Sequence, residues 1–363
     1  MDSRTRTLDA LNHQQPDCCP IWETTIWPET IVRWHSEGLP ADITGTDQRQ
    51  IEDFFGLDHL ACVNDLFDPS FGFPGETLEE SAQHRIVRDG YGKVVREWTD
   101  RSSAPHVVEP ALRTHADWER LRARLNVSDD RFRNPAAEAF YRAASAAGHF
   151  TAITPVDPVW FVLYQTLGFE LALRAMAKEP DFVAELTTAY TDFLLAMLDR
   201  TFARGYRFDA IWFWSDICYK GGLLFSPRAA RHWAVPQWRR IGEYARAHGL
   251  KFMWHCDGDV SPLIPLLLEA GVDAIHPLEA RAGNDVRAYK SKWGDRLTLI
   301  GNIDADVLAT NDRTLIEAEI AAKVPVAARG GGYIYHSDHS IPPTVSLEAF
   351  RFAIECARIY GRG

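Results

Sequence analysis

Basic residues are in deficit: 39 Lys and Arg against 50 Asp and Glu leave a formal net charge of −11, and no Lys/Arg-rich run interrupts the sequence. Nucleic acid and anionic membrane both require a basic footprint, so neither is expected as a partner. No apolar run approaches the roughly 18 residues of a membrane span. The opening stretch MDSRTRTLDALNHQQPD is polar where a signal peptide needs an apolar core. The six cysteines include no C-x-x-C pair, which argues against a disulfide framework or a zinc ribbon. A soluble protein in reducing, cytoplasmic surroundings is the expectation. Repeats, low-complexity segments and Ser/Gly linkers are missing as well, which favours one domain over residues 1–363. No G-x-G-x-x-G or Walker A sequence follows the first strand candidate, so a doubly wound nucleotide-binding sheet lacks its usual evidence.

What is present suffices for a large core. Hydrophobic residues make up 46% of the 363, with 12 Trp, 11 Tyr and 19 Phe; core filling is one use for so many aromatics and a pocket lining is another. Eight short strand candidates recur, at 19–23, 59–64, 149–155, 209–214, 251–256, 273–278, 297–302 and 331–336. Helical patterns lie between them at 27–38, 114–147, 170–205 (broken at Pro180), 228–247, 261–270, 283–293 and 312–328. Residues 84–98, alternating about Asp89-Gly90, read as a β-hairpin outside the repeat. Alternating strands and helices predict a parallel sheet, and eight such units predict a single α/β (β/α)8 barrel whose site stands at the C-terminal strand ends.

The polar residues just past those ends are acidic and rich in imidazole. His255 and Asp257, two apart at a strand end, point to the same side while Cys256 points away. Glu279 arrives from the next strand and His339 from the last. Two imidazoles and two carboxylates form a borderline-hard ligand set for a divalent metal, zinc first, with manganese or iron as alternatives. Asp216, in WFWSDICYKGG, and Glu23 are the candidates for acid–base work; an alternative use for Asp216 is to form the turn of the 215–227 loop. Trp214, Asn302 and His336 are candidates for substrate contact, and His336 with Asp338 could instead orient His339.

The segments ALNHQQPDCCPIWE, FWSDICYKGGLLFSP, HCDGDVSPLIPLLLEAGVDAIHPLE, LIGNID and GGYIYHSDHSIPP together resemble the uroporphyrinogen decarboxylase superfamily, over nearly the whole chain. The resemblance implies a (β/α)8 barrel. True uroporphyrinogen decarboxylases hold porphyrinogen carboxylates with arginines after the first strand. The matching stretch here, PIWETTIWPE, has none and offers Glu23 and Glu29 instead, an electrostatic mismatch for a polycarboxylate. The other branch comprises methyltransferases that exchange a methyl group with a corrinoid protein and hold zinc through H-x-C and a distant G-C-x-I-P. In that pattern His255 matches the His, while Asp257 and His339 replace the two Cys. Glu279 falls where cobalamin-independent methionine synthase has its Glu ligand. The resemblance therefore implies a metal-dependent methyltransferase acting on a small molecule, with a corrinoid protein and a second copy of the chain as candidate partners. Asp and His in place of thiolates leave the ion a stronger Lewis acid, suited to an oxygen or nitrogen substrate. A decarboxylase or lyase acting on a small carboxylate is the alternative, and a non-catalytic binding protein on the same barrel is a third reading.

Overall fold

In a computed structural model the described residues are 1–100 and 105–362. The strands, in chain order, are β1 (Leu60–Asn64), β2 (Glu76–Glu80), β3 (His84–Arg88), β4 (Val94–Trp98), β5 (His106–Glu109) and β6 (Phe150–Thr154). There follow β7 (Ala210–Trp214), β8 (Cys218–Tyr219), β9 (Gly222–Leu223), β10 (Lys251–His255), β11 (Ala274–His276), β12 (Thr298–Ile300) and β13 (Tyr333–Ile334). Seven of them, in the order β1-β6-β7-β10-β11-β12-β13, make one curled parallel sheet.

The eighth stave is the segment predicted as the first strand, and it is not a continuous strand. Residues 19–23 attach through an isolated parallel bridge, Ile21 to Tyr335, with Trp22 N–H donating to Tyr335 O (2.9 Å) and Tyr335 N–H to Pro20 O (2.8 Å). On its other flank Asp58 N–H donates to Ile21 O (2.9 Å). Pro20 has no N–H to give to a ladder, one reason the pairing here stays short.

Strand alternation fills the interior. Ala210, Trp212, Met253, Ala274, Ile300 and Ile334 face one another inside the sheet, while their neighbours Ile211, Phe213, Phe252, Trp254 and Ile275 pack outward under the helices. The helix Ser3–Leu11, capped by the Asp2 carboxylate, plugs the N-terminal end of the barrel. Ala10 and Leu11 join the interior cluster, Gly332 N–H donates to Ala10 O (2.9 Å), and Arg4 pairs with Asp209 at the foot of β7 (2.6 Å). Trp22 and Trp212 are buried with unpaired indole N–H groups. Each ring buries roughly 150–250 Å², worth about 4–6 kcal/mol at 25 cal/mol per Å², against about 1–3 kcal/mol for an unpaired donor, so the burial still stabilises.

The excursion after β1 is larger than the expected hairpin. β2, β3, β4 and β5 form a four-stranded antiparallel sheet; β2 is wholly exposed and its ETLEE sequence carries no apolar alternation to betray it. The helix expected over 114–147 is divided into His115–Arg122 and Pro135–Ala146, the second opened by an Asn134 cap before Pro135. Pro180 separates Phe169–Lys178 from Pro180–Ala203, as predicted. Among the described residues no helix is long and apolar enough to cross a membrane.

Candidate active site

Register brings three rings together at the C-terminal ends of adjacent staves. Trp214 pairs with His255 across β7 and β10, and His255 with His276 across β10 and β11. The Trp214 and His255 rings stack at 4.3 Å between centroids, 22° from parallel. His255 Nδ1 lies 2.7 Å from His276 Nδ1, so one of the two nitrogens carries the shared proton. His276 is buried and its Nε2 has no partner; burial, with the neighbouring imidazoles of His336 and His255, holds its pKa well below the ordinary value. Its ring meets that of His336 edge-on, 4.4 Å away.

His336 closes this file of imidazoles, and its tautomer follows from its bonds. Nε2 accepts from the Thr24 backbone N–H (2.9 Å), so the proton resides on Nδ1, which donates to Ser337 O (2.5 Å). A buried imidazole so engaged is neutral, in keeping with a pKa pushed down to about 4 by burial.

The acids arrive from two loops. After β7, Ser215 N–H donates to His255 O (3.0 Å) and Ser215 Oγ–H to the buried Asp157 (2.8 Å), which pins Asp216 over His255. Asp216 Oδ1 accepts from Asp257 N–H (3.1 Å) and lies 3.5 Å from His255 Nε2, while Asp257 Oδ1 lies 3.9 Å from the same nitrogen. One ligand atom each of Asp216, His255 and Asp257 falls within 4.8 Å of the others. Burial raises the Asp216 carboxyl, but the His255 ring, the Asp257 N–H and His339 outweigh it and the net pKa is below the ordinary value. Asp257 is raised by burial and by the nearby Asp216 and Glu279 charges, against His255 and His339. The turn holding Asp257 requires glycine at 258. Its φ is +85°, and a Cβ there would stand 2.7 Å from the Tyr219 backbone, which crosses directly above.

Of the four expected ligands, His255 and Asp257 converge with Asp216, and Glu279 and His339 stand close enough to act on Asp257 through their charges. Glu279 Oε2 accepts from Gly258 N–H (2.8 Å), bracing the Asp257 turn from behind. His339 is exposed at the rim and acts on Asp216 and Asp257 through its charge.

The remaining candidates have structural partners. Trp214 touches His255. Asn302, expected to contact substrate, is buried with its amide fully used: Oδ1 accepts from Val286 N–H (2.9 Å) and Nδ2 donates to Leu278 O (2.6 Å) and Asn284 O (3.0 Å). Asp338 bridges the Ala280 and Ala305 amides instead of orienting His339, and His336 lies inside the barrel. Glu23, expected in the mouth, is enclosed; its carboxyl contacts Ser337 N (3.0 Å) and Ser337 Oγ (2.6 Å). Sequence reasoning missed His276, Asp157 and Thr24. Only His276 left a signal there, two residues after the inward-facing Ala274 on one strand.

A cation fits this donor set. Two carboxylates converge on one imidazole, and among the described residues no Lys or Arg pairs with Asp216 or Asp257. One similar group, His115, Glu119 and Glu185, lies on the surface, where Glu185 is already engaged by Trp118 Nε1 (2.9 Å).

Residues 96–360 match the family described as uroporphyrinogen decarboxylase (URO-D). The chain belongs to this family. Among solved structures, the URO-D chain is similar to a methyltransferase from Methanosarcina mazei, with a TM-score of 0.65 and 16% identity over 99% of this chain and 98% of that one. A chitinase from Chromobacterium violaceum (TM-score 0.36, 12% identity, 62% of this chain and 85% of that one) also matches. So does a sugar phosphate isomerase/epimerase from Parabacteroides distasonis (0.30, 11%, 61% and 75%). No curated protein sequence matches the chain. The Methanosarcina likeness, end to end, shows that the URO-D chain shares the fold of that methyltransferase.

Proposed function

We propose that this URO-D-fold enzyme is a metal-dependent methyltransferase that exchanges a methyl group between a corrinoid carrier and a small oxygen- or nitrogen-bearing substrate. The observation that carries the reading is the convergence of Asp216, His255 and Asp257 at the barrel mouth. Similarity to a methyltransferase along its whole length supports it. A divalent ion held there, zinc in the first instance, supplies Lewis-acid polarisation of the substrate heteroatom.

The chain's own residues do the rest. For His255 Nε2 to offer a lone pair, its proton must sit on Nδ1 and be donated to His276 Nδ1, 2.7 Å away, so His276 sets the binding tautomer. Trp214, stacked on the other side, fixes the ring and keeps water from that face. The exposed His339, beside both acids, is the group placed to take up or deliver a proton at the rim. Asn64 and Thr154, bonded to each other at the ends of β1 and β6, offer polar contacts to a substrate across the mouth.

The test begins with metal analysis of purified protein and of His255→Ala and Asp216→Asn. The expected result is near-stoichiometric divalent metal in the parent and its loss from both variants; retention by folded His255→Ala overturns the site. Demethylation of methylcobalamin with panels of phenols and amines then tests the reaction. A second reading, a lyase acting on a small carboxylate, is favoured by the family match itself. It predicts release of CO₂ from a candidate acid, which methyl transfer does not produce.

A further inference from the structure

At the opposite end of the barrel, where the first stave begins, two cysteines stand side by side. Cys18 and Cys19 line a cleft of about 350 Å³ with Arg6, Asp17, Arg358 and Arg362. Both sulfurs converge on one point above Gly361. A Cβ at Gly361 would lie 2.4 Å from Cys19 Sγ and 3.4 Å from Cys18 Sγ, so only glycine leaves room for the pair. The backbone is fixed by Cys19 N–H donating to Gly361 O (2.8 Å), and Cys18 Sγ lies 3.8 Å from Arg358 O. Cys18 is half-buried and open to the cleft, whereas Cys19 is buried behind it.

We infer that Cys18 and Cys19 are a peroxide-sensitive dithiol that closes reversibly to a vicinal disulfide. The two thiols are unlike, as such a reaction requires. The neighbouring Cys19 thiol, with help from the Arg6 guanidinium, outweighs burial and the charges of Asp58 and Asp17, so Cys18 lies below the ordinary thiol range. Cys19 is pushed well above it by the same contact and by burial. Cys18 sulfur, losing its proton, attacks one peroxide oxygen; the O–O bond breaks, leaving a sulfenic acid, and the departing hydroxide takes up that proton as water. Cys19 sulfur then attacks Cys18 sulfur, the S–O bond breaks, and the leaving hydroxide takes the Cys19 proton as a second water. Two thiols are oxidised by two electrons and one peroxide is reduced.

Adjacent Cα atoms stand about 3.8 Å apart, closer than the roughly 4.4–6.8 Å of ordinary disulfides. The ring is therefore strained and easily reduced, the property of a switch rather than a staple. The other neighbouring thiols, Cys218 and Cys256, are both buried.

The test treats intact protein with hydrogen peroxide, blocks remaining thiols and weighs tryptic peptides. Residues 7–33, which hold both cysteines and no others, should lose about 2 Da, recoverable with dithiothreitol. In Cys19→Ser, which has no resolving thiol, the same peptide should gain about 32 Da as sulfinic acid; in Cys18→Ser it should stay unoxidised. Two results overturn the inference: a gain of about 32 Da at Cys18 in the parent, or an unchanged 7–33 peptide while other cysteines oxidise. The parent and Cys18→Ser alone decide the matter if Cys19→Ser does not fold.

Discussion

Replacing Glu23 with Gln distinguishes a buried neutral acid from an acid that reacts. Ser337 Oγ lies 2.6 Å from Glu23 Oε2 and 2.7 Å from His339 O, yet a hydroxyl has one hydrogen to donate. If that hydrogen goes to the carbonyl, the short contact to Glu23 must be a bond donated by a protonated carboxyl. Burial pushes the Glu23 pKa up to about 8, against the stabilising bonds from Ser337, with the Asp338 charge adding to the rise. A folded-state pKa above the unfolded one means that stability is greatest below the unfolded value, near 4.5, and declines as pH rises through 8. At about 1.4 kcal/mol per pH unit the full effect approaches roughly 5 kcal/mol, and a few kcal/mol is the expected order after relaxation of the site. Glutamine reproduces the neutral acid, its amide N–H donating to Ser337 Oγ and its oxygen accepting from Ser337 N–H. Thermal melting of parent and Glu23→Gln from pH 5 to 9 should give curves that agree within about 1 kcal/mol at pH 5, separate progressively as pH rises towards 8 and stay apart above it, the variant being more stable by several degrees. Parallel curves, or a variant destabilised equally at every pH, would refute the argument. A fall in turnover with unchanged metal content would instead restore Glu23 to the chemistry.

Three further outcomes follow from the same geometry. His276→Ala should weaken divalent-metal binding about 10- to 100-fold, and His276→Asn, whose amide can meet His255 Nδ1, should recover most of it; a chelator competition in which folded His276→Ala binds like the parent would remove the proposed tautomer control. Asn302→Ala should lower stability by about 2–4 kcal/mol in denaturant titration, since it strands one N–H and two carbonyls, while metal stoichiometry stays at the parental level. Because Asn302 has φ +75°, Asn302→Gly should be the milder substitution by about 1 kcal/mol, and equal losses would show that backbone conformation does not matter there.

The barrel was legible because strand and helix periods alternate along the chain whatever the loops do. The His255–Asp257 relation was legible for a similar local reason, since i and i+2 share a side of a strand. Asp216 was noticed as an acid–base candidate but not as a neighbour of His255: its place there depends on Ser215 bonding to β10 and to Asp157, 58 residues earlier. His276 becomes meaningful only when β10 and β11 are set in register. Glu23 reads as a mouth residue until closure with Ser337, 314 positions away, encloses it. The acidic β2 was invisible because it buries nothing.

The short seam between residues 19–23 and β13 gives the molecule an unequal resistance to opening. The five inner staves β6, β7, β10, β11 and β12 are each zipped to two neighbours by ladders, whereas this one leans on Tyr335 and on side chains that also belong to the site: Thr24 on His336, Glu23 on Ser337. Amides at Trp22 and Tyr335 should therefore exchange with solvent before those of β7 and β10. The barrel would part first along the line that holds its histidine file, losing the active arrangement while most of the fold still stands.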